Sequence, residues 1–172
     1  MIKPQRRAHC IAIGFLMHGY YYLFRLSKKG KYVYLLQELD GSLSTFSYAN
    51  GKLTQINETT ILAKEYKGNF SSADIHVSPN GKFLYASNRG DANTITVFKI
   101  LGKGKLQLKG QTSTLGKGPR NFVIDPTGKF LLVAHQYSNN IVIFKINKRK
   151  GTLKDTGIKF DLCSPVCLVF AK

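Results

Sequence analysis

The chain has 172 residues, which at roughly 150 residues per domain corresponds to about one domain and excludes two large ones. With 43% hydrophobic and 20% charged residues, the composition is typical of a folded protein and excludes a disordered or collagen-like chain. The formal net charge of +17 favours an anionic ligand or nonspecific attraction of nucleic acid, but it identifies neither.

Residues 1–25 form an atypical basic and aromatic segment. A basic start followed by the apolar stretch from Cys10 to Met17 has the order of a signal peptide, but the stretch is short and lacks a small-residue cleavage site. We therefore expect a cytoplasmic protein, with export as the alternative, and no apolar run approaches the roughly 20 residues of a membrane span. Tyrosines 20–22 beside Arg25 could stack on bases, but no nucleic-acid fold motif accompanies them, so nucleic acid is not expected as a partner.

The cysteines give no sign of a disulfide framework or a zinc site. They are three in number, and Cys10, Cys163 and Cys167 lack the CxxC spacing of metal ligands. No Gly-rich phosphate loop, Ser-His-Asp set or metal-ligand cluster is visible, so we expect neither a metal nor another cofactor.

Three similar blocks of sequence follow the N-terminal segment, each built around a tight turn. The glycines of these turns are Gly30, Gly81 and Gly128. They are 51 and 47 residues apart, which gives a repeat period near 47 residues. In the second block the turn at residues 78–81 leads into strands at 83–86 and 95–98, which are rich in β-branched and aromatic residues.

Two more strands complete each repeat. One precedes the turn, at 74–77 and 121–124 in the second and third blocks, and another follows a glycine turn at Gly51, Gly104 or Gly151. Four antiparallel strands at this period are the pattern of a β-propeller blade. No segment shows convincing helical periodicity.

The sequence therefore predicts an all-β partial propeller over residues 26–172. Its blades are expected at 26–70, 71–117 and 118–163, followed by a lone innermost strand of a further blade at 164–170. We interpret the chain as the C-terminal part of a longer propeller, preceded by a segment foreign to it. An open arc exposes strand edges, so we expect self-association, aggregation or fraying there.

The strings around the turns resemble one family closely. SPNGKFLYASNRG at 78–90, GPRNF at 118–122 and PVCL at 165–168 are similar to the seven-bladed 6-phosphogluconolactonase and muconate-lactonizing family. The resemblance extends from Leu26 to Phe170. It implies a seven-bladed propeller with a metal-free cleft at one end of the channel, where small anionic lactones are hydrolysed or formed.

The resemblance also implies two site residues. In the family four groups are the proposed functional residues: a glutamate just after the second strand of a blade, an arginine in the SNR string of the next blade, an arginine in an upstream PRH string and an earlier histidine. The glutamate falls at Glu38, and the SNR arginine falls at Arg89. The family's PRH arginine falls on Tyr22, where the match fails, and its earlier histidine has no counterpart in these residues. With two of four groups retained, the fragment itself could be inactive.

Counting from the turn glycines supports a shared location for three candidates. Glu38, Arg89 and Gln136 each stand eight residues after their glycine, at one rim of the blades. Glu38 could be the base that deprotonates water, and Arg89 the clamp that holds an anion. The further candidates for substrate binding are Asp74, His76, Arg120 and Gln136.

Each candidate also has a structural interpretation. Glu38 could be a solvated turn residue, and Arg89 could pair with Asp91 in its own turn. Asp74 or His76 could be a buried, hydrogen-bonded group facing a neighbouring blade. Arg120 could serve only to fix its loop.

Two functions of different classes follow. One is a lactone hydrolase of the 6-phosphogluconolactonase type, and the other is a noncatalytic propeller module for binding or assembly.

Overall fold

The computed structural model describes residues 22–171, which form twelve β-strands and one 3-10 turn at Gly102–Gly104. The strands are β1 (Tyr22–Leu26), β2 (Tyr32–Gln37), β3 (Ser42–Ala49), β4 (Lys52–Thr60), β5 (Ser72–Val77), β6 (Phe83–Asn88), β7 (Thr94–Ile100), β8 (Leu106–Ser113), β9 (Pro119–Ile124), β10 (Phe130–His135), β11 (Asn140–Ile146) and β12 (Leu153–Asp161). No helix in this range is long and apolar enough to cross a membrane.

The strands form three four-stranded antiparallel sheets, and each sheet follows chain order. The sheets are β1-β2-β3-β4, β5-β6-β7-β8 and β9-β10-β11-β12. This confirms the expected partial propeller of four-stranded blades. In every blade the first strand lies at one edge of the sheet, and β5 contacts both β1 and β9.

The turn glycines produce the repeat because they close the turn between the first two strands of each blade. In the second blade, Gly81 adopts a φ of +73° and its N–H donates to the carbonyl of Ser78 at 2.8 Å. A left-handed backbone of this kind favours glycine, which has no Cβ to clash.

Alternate residues of the second blade face different neighbours, as the two-residue period of a strand requires. In β6, Leu84 and Ala86 pack with the first blade, whereas Phe83 and Tyr85 pack with the third. All six residues of β6 are buried, so the second blade forms the centre of the arc. Two hydrophobic layers, one on each side of this blade, hold the three blades together.

The first blade starts before the boundary expected at residue 26. Strand β1 begins at Tyr22 and pairs with β2 from Tyr22–Gln37 to Leu26–Val33. The sequence of β1, YLFRL, differs from those of the first strands of the other two blades, so the repeat pattern did not indicate it. The expectations about residues 1–21 lie outside the described residues.

The lone strand expected at residues 164–170 is absent from the structure, where this stretch has no strand pairing. A strand needs a neighbouring backbone to complete its ladder of hydrogen bonds. The tail instead uses a side chain: the N–H of Leu168 donates to Oδ1 of Asn121 at 2.7 Å. Residues 164–170 therefore lack the neighbouring backbone that the expected strand requires.

Candidate active site

A cleft of about 640 Å³ opens along the first strands of the three blades, and the apolar tail at 166–170 forms another part of its wall. The charged or titratable side chains that line it, apart from the tail's Cys167, are Arg25, Glu38, Asp74, His76, Arg89 and Arg120. Five of these six were candidates from the sequence, and Arg25 is new to the set.

The first group in the cleft joins two blades at the rim. Glu38 directly follows β2 and Arg89 directly follows β6. One Nη of Arg89 donates both to Oε1 of Glu38 and to Oγ of Ser71, the latter at 2.7 Å. The Ser71 hydroxyl in turn donates to Oε1 of Glu38 at 3.0 Å.

The backbone holds this group in place. The N–H of Ser72 donates to the Glu38 carbonyl, and the N–H of Arg89 donates to the Ser71 carbonyl, both at 2.9 Å. The side chains of Arg89 and Glu38 are 11% and 20% exposed, so their attraction is screened less than that of a surface pair. Oε2 of Glu38 accepts no hydrogen bond from any of residues 22–171 and can therefore receive one from a ligand or water.

Two structural interpretations from the sequence are wrong. Arg89 does not pair with Asp91, whose Oδ2 instead accepts a bond from the N–H of Asn69 at 2.8 Å. Glu38 is not a solvated turn residue, because Arg89 and Ser71 engage it. Both partners of Glu38 belong to the second blade, whereas Glu38 belongs to the first. The sequence around each turn therefore does not indicate these contacts.

The second group lies further along β5 and ties it to β9. Oδ2 of Asp74 accepts bonds from Nε2 of His76 at 3.0 Å, Nδ2 of Asn121 at 2.6 Å and the N–H of Phe122 at 3.2 Å. Its Oδ1 accepts the N–H of Ile75 at 2.8 Å. Asp74 is buried and hydrogen-bonded to a neighbouring blade, which was one of the two interpretations of its sequence position. It also lines the cleft.

Arg25 on β1 lies against this second group. Its Nε donates to the carbonyl of Ile75 at 2.6 Å. One of its Nη atoms lies 3.0 Å from Nε2 and 3.2 Å from Nδ1 of His76. An Nη atom in the plane of the ring and at these distances from both nitrogens would collide with the carbon between them. The Nη atom therefore lies over the face of the imidazole ring, a contact that arginine often makes with flat rings.

The sequence contained a signal for Arg25. Arg25 and His76 each stand five residues before the turn glycine of their blade, at Gly30 and Gly81, so they occupy equivalent positions on neighbouring first strands. Residues that precede the turn glycines thus also reach the cleft, as those that follow them do.

Arg120 and Gln136 have different outcomes. Arg120 is exposed, lines the cleft, and its side chain makes no hydrogen bond with the part of the chain that the structure describes. Gln136 directly follows β10, at the same level along its blade as Glu38 and Arg89, but it is not among the residues that line the cleft. An equal offset from the turn sets the height of a residue on its blade, but not the direction in which its side chain points.

The described cysteines and acidic residues do not suggest a metal centre. From residue 22 to 171, no three His, Cys, Asp or Glu side chains are grouped so that they could hold an ion. Cys163 and Cys167 are free and exposed, and Cys167 lines the cleft.

The family model described as "Lactonase, 7-bladed beta-propeller" matches residues 24–170. The chain belongs to this family. Among its relatives are proteins named 6-phosphogluconolactonase from Formosa agariphila, 47% identical, and from Bacillus subtilis, 32% identical. These matches cover 76% and 83% of this chain, but 37% and 41% of the relatives.

A solved structure agrees with this placement. The periplasmic gluconolactonase of Pseudomonas aeruginosa superposes on this lactonase propeller with a TM-score of 0.84 and 30% identity. The superposition covers 88% of this chain and 43% of that one. This lactonase propeller therefore spans about two fifths of the length of such relatives.

Proposed function

We propose that this chain contributes the cleft of a cytoplasmic lactonase that hydrolyses 6-phosphogluconolactone or a related anionic sugar lactone. The observation that carries the proposal is the Glu38–Arg89 pair, which brings a carboxylate and a guanidinium from two blades into one cleft. The names of the relatives supply the substrate class.

The chemistry requires a group that activates water and a group that stabilises negative charge. Oε2 of Glu38 orients the water and accepts its proton as the water oxygen bonds to the lactone carbonyl carbon. Arg89, with Arg120 nearby in the cleft, stabilises the oxyanion. The bond from that carbon to the ring oxygen then breaks, and the proton passes to the ring oxygen, which leaves an open-chain hydroxy acid.

The charge of the cleft favours an anionic substrate. Three arginines line it, at 25, 89 and 120, against two carboxylates, Glu38 and Asp74. Both carboxylates already accept hydrogen bonds from protein donors. A cleft with an excess of positive charge raises the local concentration of anions and the rate at which they enter.

The test is hydrolysis of 6-phosphogluconolactone by the purified chain, measured in a pH-stat against the spontaneous rate. We expect saturable hydrolysis that falls about 100-fold or more in Glu38→Gln and Arg89→Ala, the range for loss of an acid-base group or an oxyanion donor. Glu65→Gln and Arg149→Ala are the matched controls, because both residues are exposed and outside the cleft. A folded chain that does not exceed the spontaneous rate would refute activity of the chain alone.

A noncatalytic assembly module is the second candidate, and exposed apolar residues favour it. Phe160 on β12 is 55% exposed, and Val169 in the tail is 83% exposed. Exposed apolar side chains such as these favour association with another protein surface. Light scattering of the eluted chain tests this: assembly without hydrolysis would favour the module, and an active monomer would refute it.

A further inference from the structure

Arg25 places a positive charge in the cleft without direct contact to a carboxylate of the described residues. Its guanidinium is partly buried in the cleft, where Nε donates to a backbone carbonyl and one Nη lies against the His76 ring. No carboxylate within residues 22–171 forms an ion pair with it. A charge removed from water normally has a counter-ion, so this one points to a ligand that supplies it.

The two carboxylates of the cleft are already committed elsewhere. Asp74 accepts four hydrogen bonds. Two come from Ile75 and His76 on β5, and two come from Asn121 and Phe122 on β9. Glu38 is held by Arg89 and Ser71 at the rim. Neither acid is placed to satisfy Arg25, whereas the open volume of the cleft adjoins it directly.

Arg25 is also held in one orientation before any ligand binds. Its Nε bond to the carbonyl of Ile75 fixes the near end of the guanidinium, and the His76 ring supports one of its faces. The remaining N–H groups form the planar donor fork that binds phosphate through paired hydrogen bonds. An arginine ordered in advance loses less side-chain entropy when it binds.

The position of Arg25 separates it from the proposed reacting centre. Ser72, whose N–H bonds to the Glu38 backbone, and His76, against which Arg25 lies, are four residues apart on β5. At about 3.3 Å per residue, this is about 13 Å along the strand. Glutamate and arginine side chains are long enough to reduce this interval to the length of a small ligand with its carbonyl at one end and its anion at the other.

We propose that Arg25 binds the phosphate of a phosphorylated sugar lactone and so selects it over the unphosphorylated lactone. This specificity role rests on the proposed function for the identity of the sugar. It differs from the roles of Glu38 and Arg89, which act on the carbonyl and do not distinguish the two substrates.

The test is calorimetric titration of the purified chain with 6-phosphogluconate and with gluconate, two stable products that differ only in the phosphate. We expect 6-phosphogluconate to bind at least about tenfold more tightly, as for one charge-assisted contact, and Arg25→Gln to reduce this ratio to about one. Arg25→Lys retains the charge without the fork and should keep part of the preference. Arg149→Gln removes the same charge from an exposed turn and should leave the ratio unchanged.

The outcomes separate this proposal from the proposed function. An unchanged ratio in folded Arg25→Gln, or equal affinities in the unaltered chain, would overturn the role of Arg25. A lost preference only in Arg25→Gln would support that role, even in a chain that fails to hydrolyse the lactone. Circular dichroism of each variant distinguishes loss of the phosphate contact from loss of the fold.

Discussion

Replacing Asp74 with alanine should destabilise the protein strongly, because this carboxylate joins two blades. The substitution removes the acceptor for the backbone N–H groups of Ile75 and Phe122 and for the side chains of His76 and Asn121. Asp74 is 7% exposed, so water can replace little of this bonding.

The magnitude follows from the donors that lose their acceptor. Each buried donor left unsatisfied costs about 1–3 kcal/mol, and the two backbone donors cannot turn away as side chains can. We therefore expect Asp74→Ala to lower the free energy of unfolding by about 2–5 kcal/mol. Asp74→Asn keeps one oxygen acceptor and should cost less than the alanine substitution.

Equilibrium unfolding in urea, followed by circular dichroism, measures the difference. Asp161→Ala is the control, because Asp161 is exposed and its carboxylate accepts no hydrogen bond from the described chain. The control should change stability by less than about 0.5 kcal/mol. A loss below about 1 kcal/mol for Asp74→Ala would refute the view that this carboxylate holds β5 and β9 together.

Three further predictions concern other contacts between the blades and their turns. Tyr85→Phe should cost about 1 kcal/mol in urea unfolding, because the buried hydroxyl donates to the Gly151 carbonyl at 2.9 Å. Gly90→Ala should cost more than about 1 kcal/mol by the same measurement, because Gly90 has a φ of +74° and a Cβ there would overlap the carbonyl of Asn69. Burial lowers the pKa of His135 below its usual 6.5, so its contribution to stability is complete above pH 6.5 and is lost as the pH falls towards the folded-state pKa.

Matched variants test each of these reasons. Tyr137→Phe alters an exposed tyrosine and should be neutral. Gly51→Ala has the same left-handed strain without the clash, so a cost equal to that of Gly90→Ala would contradict the overlap. His135→Asn should flatten the loss of melting temperature below pH 6.5, and an unchanged pH profile would exclude His135 as its source.

The blades were predictable from sequence because the signals that define them are local. The tight turns need a left-handed backbone at Gly81 and Gly128, which glycine adopts without a steric cost, and the strands on either side of each turn pair across it. The same spacing placed Glu38 and Arg89 at one rim, where the structure brings them into contact. Repetition made these signals visible, since each blade shows the same order of turn and strand.

The side-chain partners were decided only by the tertiary structure. Arg89 bonds to Glu38 rather than to the nearer Asp91, and Arg25 lies over His76, because neighbouring blades bring together residues far apart in the chain. Gln136 has the same offset as Glu38 but does not line the cleft. Counting along the chain determines the height of a residue on its own blade, whereas its contacts depend on the angle between blades and on the rotamer.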